Sequence, residues 1–525
     1  MRAPSARFSI WSLTSILALI LTGLCPILPA RAGWASLTGV LPEYTNVAYG
    51  WDFSPDSQYV IYIADVESDD RDELYSAPIS GGGPVKLNAA LVAGGDVRRY
   101  AVTPDGQYVL YIADQEVDER TDLYRVPIAG GAVVRLNAGL PAGGNVIDLK
   151  ADPDNVHVVY VADGGVNDVF ELYSVPISGG TPARLNPVPV SGGDIYSFAV
   201  DRIANRVVFT GDLETNDRYE IFSAPIAGGT SVKLNPAGSS GTLTFELDPS
   251  LQVVVFSATP NGSTSTQLYM NATAGGLLTT LNFALASNQD VFGFQISPDG
   301  ARVVYNVTTM TSTLNVTSGN LHSVLIGGGA STQLTGPAAN GYGVYGANFQ
   351  ITSDNQRVVY PYQANAAAQT VLQSVSITGG SPVTLYTPGS GEPLYRRVVS
   401  PDGQWVVFNT SPSYTIHAIS VSGGSPVTLG HSADFAITPD SARVVFATDS
   451  ITGNYDLFST QIFGGGVRNL SRLDPDSQVG GVAISPDGQW IAHETWHTGS
   501  VSRPEIRLSD GDEAQGGVFL PMLQR

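Results

Sequence analysis

The chain has 525 residues, of which 43% are hydrophobic and only 14% are charged, and it contains 58 glycines and 33 prolines. This composition is too apolar for a disordered chain and is typical of a turn-rich all-β protein. The formal net charge of −21 would repel a phosphate backbone, so nucleic acid is not an expected partner.

Residues 1–32 are typical of a secretory signal peptide, with arginines before an apolar core at 10–24 and a small-residue cleavage site ending at Ala32. Cys25 is the only cysteine and lies inside this segment, so the mature chain would have neither a disulfide nor a thiolate metal site. No later apolar run reaches the length of a membrane-spanning helix. The sequence therefore predicts an extracytoplasmic protein, periplasmic or secreted after cleavage near Ala32, with no membrane span.

A repeat of about 48 residues follows, and residues 101–137 show its parts. An extended run leads into the turn Thr103-Pro-Asp-Gly106, and a second extended run is followed by an acidic loop. A third run, the turn Gly130-Gly131 and a last short run complete the unit. Proline and Asp-Gly suit the corners of tight turns, whereas Gly-Gly supplies the positive φ of a two-residue hairpin. The pattern predicts four antiparallel strands in each repeat.

Ten copies of the turn can be counted, spaced by 38 to 55 residues. Four strands per copy is the content of one β-propeller blade. Because ten exceeds the usual four to eight blades, one large ring and two adjoining smaller rings are both open. The expected organisation is a signal peptide (1–32), an N-terminal lead-in (33–45), an all-β propeller array (46–515) and a C-terminal strand or tail (516–525).

The motif Ser/Thr-Pro-Asp-Gly, followed by Asp/Glu-Leu/Ile-Tyr and by Gly-Gly before a leucine, resembles the PD40 or WD40-like repeat. This repeat is found in the propeller of the periplasmic TolB protein and in the propeller of prolyl-oligopeptidase-type peptidases. The resemblance covers residues 46–510 and implies a propeller fold. It implies no activity, because no segment resembles the N-terminal domain of TolB or the catalytic domain of the peptidases.

The turns share one end of such a blade, so the loops between the second and third strands and the crossings between blades share the other. Acidic residues recur at three matched positions in four of these loops, which makes the loops candidates for ligand or calcium binding. The alternative is that the acid before the Leu/Ile-Tyr pair accepts backbone hydrogen bonds and holds its loop closed. The twelve acids are Asp65, Asp70, Glu73, Asp114, Glu119, Asp122, Asp163, Asp168, Glu171, Asp212, Asp217 and Glu220.

His493, Glu494 and His497 match the HExxH pattern of zinc proteases. That pattern needs a helix to bring residues i and i+4 together, whereas this copy is predicted to lie on a strand. Four strand residues span about 13 Å, too far for one zinc ion, so no metal site is expected here. His322 and His417 occupy a strand position that is tyrosine in other repeats.

The leading hypothesis is an exported, non-enzymatic propeller that binds a protein, a peptide or a polysaccharide of the cell envelope or exterior through its loop face. It requires no cofactor, although calcium could bind. One alternative is a metal-dependent propeller lyase or hydrolase with histidines around the channel. The other is a cell-surface structural protein stabilised by calcium in the acidic loops.

Overall fold

The structure is a computed structural model that describes residues 35–37, 47–68, 70–201, 203–239, 244–250, 252–309, 318–336, 338, 342–449, 455–471, 477–497 and 503–510. All regular elements in these ranges are β-strands, grouped into ten antiparallel sheets. The predicted signal peptide and the predicted C-terminal strand or tail lie outside them. Among the described residues there is no helix that could cross a lipid bilayer.

Blades 1 to 9 each use four strands that are consecutive in the chain. Blades 1 to 3 are β2 (Val47–Phe53), β3 (Tyr59–Ala64), β4 (Glu73–Pro78) and β5 (Val85–Lys86); β6 (Val97–Val102), β7 (Tyr108–Val117), β8 (Arg120–Pro127) and β9 (Val134–Arg135); and β10 (Val146–Ala151), β11 (His157–Ala162), β12 (Glu171–Pro176) and β13 (Ala183–Arg184). Blades 4 and 5 are β14 (Ile195–Asp201), β15 (Arg206–Gly211), β16 (Glu220–Pro225) and β17 (Val232–Lys233); and β18 (Phe245–Leu247), β19 (Val253–Ala258), β20 (Gln267–Ala272) and β21 (Thr279–Thr280).

Blade 6 has a fifth strand that pairs with its third. Blades 6 and 7 are β22 (Gln289–Ile296), β23 (Arg302–Thr309), β24 (Ser318–Leu325), β25 (Thr332–Gln333) and the extra β26 (Val344–Tyr345); and β27 (Gln350–Ile351), β28 (Arg357–Tyr362), β29 (Val371–Ser376) and β30 (Val383–Tyr386). Blades 8 and 9 are β31 (Leu394–Val399), β32 (Trp405–Thr410), β33 (Thr415–Ser420) and β34 (Val427–His431); and β35 (Phe435–Ile437), β36 (Arg443–Asp449), β37 (Tyr455–Gln461) and β38 (Arg468–Asn469).

The tenth blade takes its strands from both ends of the array. It contains β39 (Ser477–Ile484), β40 (Trp490–His497), β41 (Arg503–Asp510) and, as its fourth strand, β1 (Ala35–Ser36). The next residue, Leu37, donates its N–H to the carbonyl of Ile506 at 3.0 Å. Its side chain is only 4% exposed and packs with Phe53 of blade 1 and Leu508 of blade 10. A segment preceding the first blade therefore completes the last one.

The hydrophobic core is divided into ten clusters, and each cluster lies between two neighbouring blades. One of them joins blade 10 to blade 1. At the same junction Asp487 donates its N–H to Ser57 Oγ at 3.1 Å. The ten blades therefore form one closed ring, which decides between the two arrangements that the sequence left open.

The predicted turns form through the residues that define the repeat. Thr103 Oγ1 donates to the Asp105 carboxylate at 2.6 Å, and the N–H of Gln107 donates to the same carboxylate at 3.0 Å. The corresponding Ser or Thr bonds the turn aspartate in blades 1, 6, 7, 8, 9 and 10. Gly130 and Gly131 have φ values of 87° and 143°, as a Gly-Gly hairpin requires.

The first strand of each blade lies on the inner side of the ring. Side chains link the first strands of successive blades: Arg99 pairs with Asp148 at 3.1 Å, and Lys150 donates to the carbonyl of Phe198 at 2.5 Å. The fourth strands of the first six blades are only two residues long and form the opposite edge of each sheet. The inner strands therefore bring side chains of neighbouring blades close to one another.

Candidate ligand-binding face

The two ends of the ring differ in what they carry. At the turn end, the Pro-Asp turns of adjacent blades touch, as where the N–H of Asp105 donates to Asn155 Oδ1 at 3.1 Å. At the loop end, the crossings between blades bond the acidic loops, as where the N–H of Val92 donates to the carbonyl of Gln115 at 3.2 Å. We use "loop end" for the end that holds these loops, the crossings and the beginnings of the first strands.

In blades 2 to 4 the first acid of the loop joins that loop to the crossing that enters its blade. Asp114 accepts hydrogen bonds from the N–H groups of Asp96 (2.5 Å) and Glu119 (3.3 Å), and Arg98 pairs with it at 3.1 Å. Asp212 accepts from the N–H groups of Asp194 (2.7 Å) and Asp217 (2.9 Å). The same position is buried in all four loops, at Asp65, Asp114, Asp163 and Asp212.

The second acid of each loop has a conformational role. Asp70, Glu119, Asp168 and Asp217 are exposed and have φ values of 57° to 61°. This left-handed region is unfavourable for residues with a Cβ, although aspartate tolerates it better than most. Of the twelve matched acids, these four are therefore the ones in contact with solvent.

The third acid of each loop is buried and pairs with a cation on the fourth strand of its own blade. Glu73 contacts Lys86 Nζ at 2.5 Å and also accepts a hydrogen bond from the Tyr75 hydroxyl at 2.9 Å. The corresponding pairs are Glu171 with Arg184 at 2.8 Å, Glu220 with Lys233 at 3.1 Å and Asp122 with Arg135 at 4.0 Å. Side chains therefore hold the third acid in all four loops, and in blade 4 Glu220 also accepts the N–H of Glu214 at 3.1 Å, as expected for an acid that closes its loop.

In blade 2 the second and third strands extend into the acidic loop, since β7 reaches Val117 and β8 begins at Arg120. Asp114 and Asp122 therefore lie on strands, and only two residues separate these strands. Across the described ranges, no group of three or more His, Cys, Asp or Glu side chains is arranged to hold a metal ion. Calcium binding by these loops stays a prediction.

The crossings contain a polar position that the sequence analysis did not single out. Asp96, Asn145 and Asp194 each accept a backbone N–H from one acidic loop and donate their own N–H to the first acid of the next loop. They connect the acidic loops of blades 1 to 4 in succession. In the sequence these three residues are marked by a Gly-Gly-Asp/Asn-Val/Ile motif that recurs every 49 residues in blades 2 to 4.

The HExxH residues lie on β40, where His493, Glu494 and His497 are opposite Arg507, Ile506 and Arg503 of β41. Residues four apart on a strand are separated by about 13 Å. The His493 side chain is fully buried, and burial, with a smaller effect of Arg507, lowers its pKa to about 3. His493 is therefore neutral at physiological pH.

None of the six histidines lies on the first strand of a blade. His322 stacks on Tyr305 at 5.5 Å between ring centroids, and burial lowers its pKa to about 4. His417 also occupies the tyrosine position, and its ring centroid lies 5.4 Å from that of Phe408. His157 lies on the second strand of blade 3, and His431 lies on the fourth strand of blade 8. These positions therefore do not supply the set of histidine ligands that a metal site in the channel would need.

The first strand has a β-bulge near the loop end in seven of the ten blades. Bulges re-aim side chains. The bulged residues include Tyr196, Phe292 and Tyr395, whose side chains are 51%, 51% and 61% exposed. Tyr196 packs edge-on against Tyr219 of an acidic loop at 5.0 Å, and Tyr395 packs against Tyr414 at 5.5 Å.

Two clefts open beside these aromatic residues and share Arg396. One, of about 350 Å³, lies among blades 6, 7 and 8 and is lined by Tyr345, Tyr395 and Arg397 among others. The second, of about 420 Å³, lies mainly between blades 8 and 9 and includes Tyr414. A cleft of about 620 Å³ also separates the first strands of blades 1 and 2.

No protein-family model matches the chain, and no curated protein matches it. Solved structures that are similar include a protein assigned as TolB from Agrobacterium tumefaciens, at 19% identity over 46% of this chain and 80% of that one, with a TM-score of 0.28. A eukaryotic initiation factor is 13% identical over 79% of this chain and 96% of its own, with a TM-score of 0.48. A prolyl endopeptidase is 11% identical over 80% of this chain and 54% of its own, with a TM-score of 0.38. All three identities are below 20% and all three TM-scores are below 0.5, so the propeller assignment rests on the ten sheets described above.

Proposed function

We propose that this protein is an exported, non-enzymatic propeller that binds a protein, peptide or glycan through the loop end. One observation carries the proposal. Seven aromatic side chains in the described part of the chain are exposed, and six of them belong to the loop end. These six are Tyr196, Tyr219, Phe283, Phe292, Tyr345 and Tyr395, whereas Phe463 lies beside a Gly-Gly turn at the turn end.

Aromatic rings exposed to water are unfavourable unless a ligand covers them, and each ring offers a large contact area with few rotatable bonds. Tyrosine and arginine are also enriched where binding energy concentrates in protein interfaces. Three of these side chains, Tyr196, Phe292 and Tyr395, are held by bulges on first strands that pack into the propeller. Such a rigid support lowers the entropic cost of binding.

The acidic loops contribute less directly in this proposal. Their first and third carboxylates are hydrogen-bonded or ion-paired, so they orient the loop end, and the exposed second acids at 70, 119, 168 and 217 give its rim a negative charge. Ligands with neutral or basic surfaces would therefore be favoured over polyanions.

Binding of the purified mature protein to isolated cell envelopes tests the proposal. Tyr196→Ala and Tyr395→Ala should each weaken binding about five- to thirtyfold, in line with about 1–2 kcal/mol for losing one aromatic contact. Phe463→Ala removes an equally exposed ring at the turn end and should leave binding unchanged.

Protease treatment or periodate oxidation of the envelopes then distinguishes a protein ligand from a glycan. Equal binding by Tyr196→Ala, Tyr395→Ala and the unaltered protein would contradict a role for the loop end. Metal-dependent turnover of peptides or polyuronides by the purified protein would contradict the non-enzymatic assignment.

A further inference from the structure

One inner-strand position is apolar or aromatic in nine blades and charged in the tenth. It is the third residue before the Ser, Thr or Asp that opens the Pro-Asp turn, and its side chain packs into the cluster between its own blade and the preceding one. The nine residues are Trp51, Tyr100, Leu149, Phe198, Phe245, Phe294, Phe349, Phe435 and Val482. In blade 8 the residue is Arg397, which is opposite Phe408 in the sheet.

Arg397 has no hydrogen-bond or ion-pair partner among the described residues. Its Nε atom is shielded from solvent and has no acceptor. The adjacent Arg396 is paired with Asp434 and so does not share this situation. Burial lowers the pKa of Arg397 to about 10, so the guanidinium is still charged at physiological pH. Arg397 as a whole is partly exposed, and a partly buried charge of this kind is costly unless an anion compensates it.

The cleft that receives Arg397 has the lining of a binding site. Its volume of about 350 Å³ is within the usual range of small-ligand pockets. Asn348, Gln363 and Thr370 contribute neutral polar groups, and no acidic residue is present in the lining. Tyr345 and Tyr395, which are 64% and 61% exposed, flank the opening.

We propose that this cleft binds the free C-terminal carboxylate of a polypeptide, with Arg397 as the counter-charge. A guanidinium matches a carboxylate through two parallel hydrogen bonds. The amide and hydroxyl groups of the lining suit a peptide backbone, and the two tyrosines suit the preceding side chains. Of the two arginines in this cleft only Arg397 is unpaired, and one such cation on a chain of net charge −21 fits one terminal carboxylate better than a polymer with a charge on every unit.

This inference rests on the proposed function and names the ligand group for one part of the loop end. The test uses a pool of random N-acetylated hexapeptides with free C-terminal carboxylates, and the same pool as C-terminal carboxamides. Equilibrium dialysis with the mature protein, read by mass spectrometry, should retain carboxylate peptides and not their carboxamide counterparts. The carboxylate pool should also raise the melting midpoint of the protein.

Arg397→Phe installs the residue that five of the other blades have at this position, so the variant should melt at the same temperature or higher. It should nevertheless bind the carboxylate peptides roughly ten- to a hundredfold more weakly, the range expected for losing a charged hydrogen-bonded pair. Arg397→Lys should show an intermediate loss. Arg125→Gln removes the same charge from a third strand of blade 2, where Arg125 lies over Tyr108, and should bind normally.

Equal retention of the two pools, or unchanged binding by Arg397→Phe, would overturn the inference. Retention of an oligogalacturonate in place of the carboxylate peptides would also overturn it and assign the cleft to an acidic sugar. If the pools are not distinguished while Tyr196→Ala still weakens envelope binding, the inference about Arg397 fails and the proposed function stands.

Discussion

Asp114 and Glu119 lie five residues apart in the same hairpin, yet they have different structural roles. Asp114 is fully buried and joins two segments of backbone, whereas Glu119 is exposed and has a left-handed φ of 60°. The sequence predicted both as one kind of candidate ligand. It could not separate them, because burial and φ depend on how the crossing from the preceding blade packs against the loop.

We expect Asp114→Ala to lower the stability of the protein by about 2–3 kcal/mol, because the N–H groups of Asp96 and Glu119 would lose a buried charged acceptor and Arg98 would lose its ion-pair partner. Urea denaturation monitored by circular dichroism measures the change. Glu116→Ala removes only an exposed ion pair with Arg135 and should cost under about 1 kcal/mol. Similar losses for the two variants would contradict the role assigned to Asp114.

At the scale of the structural elements, turns and bulges differ in how far the sequence reveals them. The turns are local: proline, aspartate and glycine impose them within four residues, and they form as predicted. The bulges at Tyr196 and Tyr395 carry no such signature, since a bulge depends on the register with the neighbouring strand. The aromatic rings of the candidate binding face therefore stayed unnoticed until the strands were paired.

The acidic loops also allow a test of the calcium prediction. In blade 1, Asp72 has a pKa raised to about 6, first by burial and then by Asp96, Asp65 and Asp70, so a bound cation would relieve repulsion among these carboxylates. Because the first and third acids already have protein partners, we expect the melting midpoint to be the same in EGTA and in excess calcium. A midpoint that falls in EGTA and recovers with calcium would show that the loops bind the ion.

In the whole molecule, ten blades close into one ring because the segment at 35–37 completes blade 10. The sequence identified the ten repeats but placed this segment in a lead-in, since two strand residues and a leucine show no repeat pattern. The inner position of the first strands, and hence the neighbours of Arg397, likewise follow from ring closure.

We expect Leu37→Ala to lower the melting midpoint and to speed proteolysis between blades 10 and 1. Removing a buried leucine side chain costs about 2–5 kcal/mol, and here the loss falls on the junction that closes the ring. Val85→Ala, at a side chain that is 39% exposed, is the matched control. A midpoint equal to that of the control would show that the segment does not contribute to closure.

The sequence by itself determined the strands, their turns, the number of repeats and the propeller fold, because each depends on residues close together in the chain. Tertiary structure alone decided that there is one ring, that the carboxylates of each acidic loop have separate partners, and that exposed aromatic rings gather at the loop end. It also placed Arg397 in a cleft without a counter-charge. These features depend on contacts between blades, and such contacts arise only when the ring is closed.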